Sequence, residues 1–312
     1  MAFNEIWWKI ALLLLGSYLF GNINFALLIS KFKKQDIRGK GSGNPGTMNM
    51  LRNFGVKLGA LTLALDVLKG LLPTMAGWLL FKGKYTLGGF EWGMLMQYAA
   101  GFAAVLGHIF PMYLRFKGGK GVATTIGIFM YVRPLVAVAA FVLMLLYIYR
   151  FEFGSVGSLL FVTFMCIFEM SLIKTAFGVY PEVTALYCIL FMLGFMSYFA
   201  HRSNIKRLIM GMENRTPLRQ IIATYRRRVE KKRKKKVYKL GKKMTKIERK
   251  LQELRGGEYE ENAAEKDLES DPHSSLEVID SESGAIDFES EVIDSETESA
   301  HAETDNKEND IE

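Results

Sequence analysis

Residues 115–124, RFKGGKGVAT, place three glycines around one lysine between two apolar runs. Closely spaced glycines let backbone N–H groups point at one anion, and Lys120 adds a compact positive charge. The stretch is not a Walker A loop, because its Gly-Lys pair is followed by Gly121 instead of Ser or Thr. The chemistry that this pattern favours is binding of a phosphate.

A second glycine-rich stretch, residues 36–55, contains a formal G-x-G-x-x-G that starts at Gly41. A dinucleotide fold is excluded, because neither a preceding strand nor a βαβ unit can be recognised around these glycines. The stretch still carries neutral and charged donors suited to a phosphate, namely Ser42, Asn49, Arg38 and Arg52. A flexible basic loop on lipid headgroups explains this stretch, taken alone, equally well.

The third polar stretch is residues 201–215, HRSNIKRLIMGMENR. His201 and Asn204 share a helical face with Arg207 or Leu208. His201 directly follows an apolar run, and histidine is suited to proton transfer near neutral pH. The alternative is that His201 lies at the membrane interface and has no catalytic role. His108 precedes a Phe-Pro pair that should end a helix, and a structural hydrogen bond is its expected role.

Long apolar runs must position these stretches. They lie at about residues 6–30, 56–81, 93–114, 122–150, 155–177 and 183–200. The first run is long enough to cross a hydrocarbon core of about 30 Å. A cleaved signal peptide at the first run is disfavoured, because it lacks a basic n-region and an A-x-A site. Two cysteines, Cys166 and Cys188, both lie in apolar runs, which argues against a disulfide framework or a thiolate metal site and predicts buried small hydrophobic side chains.

Basic residues cluster in 31–57, in 115–120 and after residue 201, which places all three regions on the cytoplasmic face. The N-terminus is then outside, so the number of crossings must be odd, five or seven. Six runs therefore imply one split or re-entrant helix, and the places to look are Pro134 and the Gly/Pro-rich stretch 39–59. The predicted fold is an all-α polytopic membrane helix bundle.

The charge pattern divides the chain into three parts. A membrane domain, residues 1–215, is followed by a basic helical segment, residues 216–257, and an acidic tail, residues 258–312. Residues 202–257 carry a net charge of +17, and the tail carries −19. The basic segment has a short heptad pattern from Val237 to Leu254, so a coiled coil and a helix lying on anionic lipid both fit. The composition of the tail predicts disorder.

Taken together, the three polar stretches resemble the PlsY family, the bacterial glycerol-3-phosphate acyltransferases that use acyl phosphate. The second stretch matches the family form G-H-x-F-P-x-x-x-x-F-K-G-G-K-G-V-A-T at Gly107, His108, Phe110, Pro111 and 116–124. The third matches H-x-x-N-I-x-R-L-x-x-G-x-E at His201, Asn204, Ile205, Arg207, Leu208, Gly211 and Glu213. The resemblance covers about residues 10–215. The chain departs from the family at Gly21-Asn22-Ile23-Asn24-Phe25 and at Met48, which replaces a threonine.

The resemblance implies that acyl phosphate and sn-glycerol 3-phosphate react to give 1-acyl-glycerol 3-phosphate and phosphate. It implies membrane lipids as partners, no nucleic acid, no metal and no cofactor; a partner of the tail cannot be assigned. The expected location is the bacterial cytoplasmic membrane, with the site and the C-terminus on the cytoplasmic side. A transporter of phosphate or an organic phosphate is the alternative function, although no internal repeat is found.

The expected site has three groups of residues. The catalytic group is Ser42, Arg52, Lys120, His201 and Asn204. The phosphate-binding group is Gly41, Gly43, Asn44, Asn49, Gly118, Gly119 and Gly121, with the amides of Gly118 to Gly121 stabilising developing charge. The supporting group is Arg38, His108, Thr124 and Glu213. Two mechanisms remain open: His201 as general base, and transfer of the proton to an oxygen of the acyl phosphate itself.

Overall fold

The computed structural model describes residues 6–83, 86–87, 90–177 and 181–269. The chain divides into two compact units, residues 1–240 and 241–312. Within the described ranges, the secondary structure is helical apart from a small antiparallel hairpin, β1 (Thr86–Leu87) and β2 (Phe90–Glu91). The α-helices are α1 (Trp7–Asn22), α2 (Phe25–Phe32), α3 (Thr47–Phe54), α4 (Val56–Phe81), α5 (Trp92–Ile109), α6 (Val122–Val132), α7 (Pro134–Phe151), α8 (Gly154–Phe177), α9 (Pro181–Ala200), α10 (Arg202–Ile209) and α11 (Leu218–Glu269).

Six helical segments in the described part of the chain are long and apolar enough to cross a membrane. They are Trp7–Phe32, Val56–Phe81, Trp92–Leu114, Pro134–Phe151, Gly154–Ala176 and Val183–Ala200. Large apolar side chains on these segments are exposed, for example Leu12, Leu143 and Phe191. Such a surface suits a lipid environment, since water would disfavour a large apolar patch. The predicted all-α polytopic membrane bundle is confirmed.

The apolar run 122–150 is broken, as the sequence predicts. Helix α6 ends at Val132, and α7 begins at Pro134 with Arg133 as the linking residue. The carboxylate of Glu169 accepts hydrogen bonds from Arg133 Nε at 2.9 Å and from Tyr98 Oη at 2.6 Å. Proline suits the first turn of a helix because its missing N–H is not needed there. With eleven residues α6 is too short to span a bilayer alone, and the odd number of crossings stays a prediction.

The first apolar run is also broken, which the sequence analysis did not predict. Helix α1 ends at Asn22, and α2 starts at Phe25. Asn24 caps α2, because its Oδ1 accepts a hydrogen bond from Leu27 N at 2.9 Å. The carbonyl of Ile23, freed by the break, accepts a hydrogen bond from Lys69 Nζ of α4 at 3.0 Å. The buried lysine therefore satisfies a backbone group that lipid could not.

Helices α4 and α6 pack closely at two glycines. A Cβ atom on Gly70 would lie 1.9 Å from the carbonyl oxygen of Thr124, and one on Gly127 would lie 2.0 Å from that of Val67. Small residues let helix backbones approach in this way in membranes. The contact fixes the N-terminus of α6 beside the middle of α4.

The C-terminal part differs from the sequence-based boundary. Helix α11 continues to Glu269, twelve residues beyond the expected end of the basic segment at residue 257. The remaining tail, residues 270–312, lies outside the described residues, so the expected disorder is not tested there. Of the two cysteines, Cys166 is buried but Cys188 is exposed, so only the first is the buried small hydrophobe that the sequence suggests.

Candidate active site

One cavity of about 600 Å³ brings the three polar stretches together within the first unit. The polar residues from and beside those stretches that line it are Ser42, Asn44, Thr47, Asn49, Arg52, His108, Lys120, His201, Asn204, Glu213 and Asn214. Its apolar lining comes mainly from α4, α6 and α7, with Leu63, Ile126, Phe141, Met144, Leu145 and Ile148. The cavity therefore suits a ligand with an anionic end and a hydrocarbon end.

The glycines of the 118–121 loop serve close packing. The amide of Gly118 donates to the carbonyl of Ile109 at 3.1 Å, and that of Gly119 donates to the carbonyl of His108 at 3.0 Å. A Cβ on Gly119 would lie 2.0 Å from His108 Nε2, so only glycine fits against this ring. The expectation that these two amides hold a phosphate stays a prediction, although both already have backbone acceptors in this structure.

The end of this loop that lines the cavity is the start of α6. Gly121, with φ +77°, is the N-cap, and Gly121, Val122 and Ala123 line the cavity. The first N–H groups of a helix have no acceptor within it, and the helix dipole adds partial positive charge. Although glycine at residue 121 is needed for its left-handed backbone, the donors come from the helix that follows it.

Lys120 is a half-buried cation beside this helix start. Burial lowers the pKa of its ammonium to about 8, and the charges of Arg207 and Arg52 add to the decrease, while Glu213 opposes it. Among the described residues, no hydrogen bond to the Lys120 ammonium affects its pKa. Lys120 is thus a cation ready to receive an anionic ligand.

Asn49 holds the first glycine loop together. Its Nδ2 donates to the carbonyls of Ile37 and Lys40 at 3.3 and 2.9 Å. Its Oδ1 accepts from Ser42 N at 3.2 Å and from Asn53 Nδ2 at 2.9 Å. Both donors are occupied, so Asn49 shapes the loop and the expectation that it donates to a phosphate is not supported. Gly41 and Gly43 take φ values of +54° and +70° and do not line the cavity, whereas Ser42 and Asn44 do.

The two arginines of this stretch lie in different places. Arg52 lines the cavity, and its Nη1 contacts the segment 214–216, with 3.3 Å to the carbonyl of Arg215. Burial lowers its pKa from the ordinary arginine value, and nearby Arg207 adds to this. Arg38 is exposed outside the cavity and pairs with Asp36 at 2.7 Å. The structure therefore brings Arg52 into the site but not Arg38.

Glu213 organises the third stretch. Its carboxylate accepts hydrogen bonds from Asn204 Nδ2 at 2.6 Å, Ser155 Oγ at 2.9 Å and Arg207 Nε at 3.0 Å. Burial would raise its pKa, but the bonds from Asn204 and Ser155 and the charges of Arg207 and Lys120 lower it overall. Since Asn204 gives its amide to Glu213, its buried Oδ1 is left as an acceptor at the cavity. The supporting role expected for Glu213 agrees with these contacts.

His201 is held in one orientation. Its Nδ1 lies 2.8 Å from the carbonyl of Ser197, so this nitrogen carries the proton and Nε2 is an acceptor. Burial lowers its pKa to about 4, with the charge of Lys120 acting in the same direction. The imidazole is therefore neutral at pH 7.

Two further predicted residues lie near the site. His108 is buried, lines the cavity, and has its Nδ1 at 3.8 Å from Asp66 Oδ1. Thr124 is fully buried in the first turn of α6 but does not line the cavity. Its carbonyl faces Gly70 in the α4–α6 contact, so its position is one of packing.

Several cavity residues were missed by the sequence analysis, above all Asp66, Ser155 and Thr216. Asp66 pairs with Lys69 at 2.8 Å, and both are buried inside α4. The signal was available, because ionisable residues inside a membrane helix mark functional sites by default. Ser155 and Thr216 had no such signal, since their partners Glu213 and Arg52 lie far away in sequence.

The fold and the site define an integral membrane protein whose cavity combines basic and apolar lining residues. A family model described as glycerol-3-phosphate acyltransferase matches residues 11–211. The chain belongs to this family. A glycerol-3-phosphate acyltransferase of Halalkalibacterium halodurans is 42% identical over 212 residues, covering 68% of this chain and 96% of its own length. One of Mycoplasmopsis pulmonis is 39% identical over 207 residues, covering 64% and 89%.

Two solved structures are also similar. The glycerol 3-phosphate form of PlsY (YgiH), an integral membrane glycerol 3-phosphate acyltransferase, has a TM-score of 0.58 and 31% identity. It covers 69% of this chain and 98% of that one. The lysophosphatidic acid form has a TM-score of 0.55 and 32% identity, covering 66% and 95%.

Proposed function

We propose that the protein transfers a fatty acyl group from acyl phosphate to the 1-hydroxyl of sn-glycerol 3-phosphate, the first acylation step of phospholipid synthesis. The observation that carries the proposal is the cavity, in which Lys120 and the start of α6 adjoin an apolar wall from α4 and α7. An acyl phosphate has a phosphate joined to a hydrocarbon chain, which matches the basic and apolar parts of the cavity. Both products, lysophosphatidate and phosphate, keep an anionic group that this site can hold.

The leaving phosphate is stabilised by Lys120, by the N–H groups that open α6 and by Arg52. The ester bond forms between the glycerol oxygen and the acyl carbon, while the acyl carbon–phosphate oxygen bond breaks. Charge grows on the phosphate as it leaves, and fixed donors lower the energy of that charge without rearranging. Because acyl phosphate is already activated, no covalent acyl-enzyme is required.

Glycerol 3-phosphate is oriented by the third stretch. His201 Nε2 and Asn204 Oδ1 are acceptors at the cavity, so each suits a hydroxyl of the glycerol. A base with a pKa of about 4 holds a proton weakly at pH 7. This favours the second mechanism, in which an oxygen of the acyl phosphate takes the hydroxyl proton and His201 only positions the glycerol.

We further propose that the cavity opens to the cytoplasm, with the N-terminus outside. The support is the concentration of Lys and Arg in 31–57, 115–120 and after residue 201. Cysteines introduced at exposed Lys33 and Lys117 should react with an impermeant maleimide only after the cell membrane is opened. Labelling of either site in intact cells would overturn this orientation.

The donor is tested with purified protein in lipid. Labelled glycerol 3-phosphate is incubated with an acyl phosphate, an acyl-CoA or buffer, and lysophosphatidate and phosphate are measured. Product with acyl phosphate alone, lost in Lys120→Ala but kept in Lys117→Ala, is the expected result. Lys117 is the matched control because it lies three residues away and is exposed. Product formed with acyl-CoA alone would contradict the proposal that acyl phosphate is the donor. Phosphate transport across the membrane without product would favour a transporter.

A further inference from the structure

We propose that α11 is a membrane-surface helix that binds anionic lipid headgroups. This role is independent of the family match, which ends at residue 211, and of the chemistry proposed for the cavity. In its first unit, residues 219–240 carry eleven Lys and Arg against one Glu, a net charge of +10. Side chains in the described part of this segment are mostly exposed. This excess of positive charge attracts anionic surfaces.

The helix also presents an exposed apolar stripe. Val229, Val237 and Leu240 are 44%, 61% and 52% exposed, and their spacings of eight and three residues keep them on one side. In the second unit, Met244, Ile247 and Leu251 continue the spacings and are exposed as well. An apolar stripe beside basic side chains is the pattern of helices that lie in a lipid interface.

The start of the helix is attached to the membrane domain. Leu218 and Ile222 line the cavity, and the guanidinium of Arg219 lies 4.7 Å from the ring centre of Tyr149 in the span α7. The basic residues that follow are therefore tethered close to a bilayer. Each Lys or Arg near an anionic membrane surface contributes about 1 kcal/mol of attraction.

Two other occupants fit less well. A coiled coil with a second copy would bury the stripe, but Arg233 and Lys236 fall between Val229 and Leu240 on the same side. Like charges would then meet in the core of the pair. The acidic residues 258–312 match the charge, but a bilayer offers anionic headgroups and an apolar layer together, which the stripe requires.

The test uses the full chain with Cys166 and Cys188 replaced by Ala. Single spin labels are placed at Leu240→Cys, on the stripe, and at Lys231→Cys, on the opposite side. The protein is reconstituted in liposomes of phosphatidylcholine alone or mixed equally with phosphatidylglycerol. Collision with oxygen, which concentrates in lipid, is compared with collision with a water-soluble nickel chelate.

In the anionic liposomes, the label at residue 240 should favour oxygen and the label at residue 231 should favour nickel. This contrast should fade in phosphatidylcholine and at high salt, because screening removes the attraction. Replacing Lys232, Lys234, Lys235 and Lys236 by Gln should abolish the contrast, and replacing them by Arg should keep it. The Arg variant is the matched control, since it preserves charge and helix propensity.

Three results would overturn the proposal. Residue 240 could remain water-exposed in both liposomes. Its label could show spin–spin broadening between copies, which would assign the stripe to a coiled coil. It could also be shielded in phosphatidylcholine and freed by ending the chain at residue 257, which would assign the stripe to the acidic tail.

Discussion

At the scale of single residues, partial burial destabilises the positive charge of Lys120 and lowers its pKa. Its pKa of about 8 means that the ammonium is mostly protonated at pH 7 and loses its proton as the pH rises through 8. A phosphate bound beside it would favour the charged form. The protonated fraction of Lys120 is thus lowest in the free enzyme. The pH dependence of kcat/KM reports this ionisation.

We expect kcat/KM to fall above pH 8 in the wild type. Lys120→Arg should lose this limb, because arginine stays charged throughout the accessible range. Lys120→Ala should lower kcat/KM by about 100- to 1,000-fold, the usual cost of one charge-stabilising donor. The measurement is a pH series of initial rates in detergent, with Lys117→Ala as control. A high-pH limb that persists in Lys120→Arg would assign the ionisation to another group.

His201 is expected to contribute position and not proton transfer. In His201→Gln, kcat/KM should fall about fivefold, since one hydrogen bond contributes about 1 kcal/mol. The shape of the pH–rate profile between pH 5.5 and 7.5 should not change, because a group of pKa about 4 does not titrate there. A limb near pH 6 to 7 in the wild type that disappears in the variant would make His201 the base.

At the scale of elements, the pair Asp66–Lys69 connects α4 to the break between α1 and α2. Lys69 is bound both to Asp66, at 2.8 Å, and to the carbonyl of Ile23, at 3.0 Å. Asp66 also lines the cavity. One buried ion pair therefore supports a helix break and a wall of the site.

The losses of stability from removing the two partners should not add. Asp66→Asn or Lys69→Met should each lower the free energy of unfolding by roughly 3–5 kcal/mol, because a lone charge is left buried. The double variant should be destabilised by less than the sum, which a double-mutant cycle measures as coupling. Thermal unfolding in detergent is the readout, with exposed Lys57→Met on the same helix as control. Additive effects would show that the two charges do not depend on each other.

Hydropathy was sufficient to locate α4, α8 and α9, and Pro134 located the break before α7. The break at Ile23–Asn24 could not be predicted, because its support comes from Lys69, 46 residues away. Type and spacing selected Lys120, Arg52, His201 and Asn204, which all line the cavity, and their catalytic roles stay predictions. The acceptors of the Gly118, Gly119 and Asn49 N–H groups could not be predicted, since spacing alone does not reveal which N–H groups already have acceptors.

At the scale of the whole molecule, the cavity closes with the first turns of α11. A chain that ends after residue 257 keeps Leu218, Arg219 and Ile222, so its activity should stay within about twofold of the full chain. A chain that ends after residue 216 lacks all three and should lose most activity while still inserting. The measurement is the acyltransferase rate of each shortened chain, divided by the amount of that chain inserted in the membrane. Loss of activity in the longer version would show that the tail is required.

The cavity takes its walls from both ends of the membrane domain, from Ser42 to Ile222. During synthesis on the ribosome, the spans enter the bilayer one after another, long before the segment with His201 and Glu213 exists. No partly made chain can hold the complete site. The enzyme can therefore become active only when translation of this domain is finished, so partly synthesised copies have no activity.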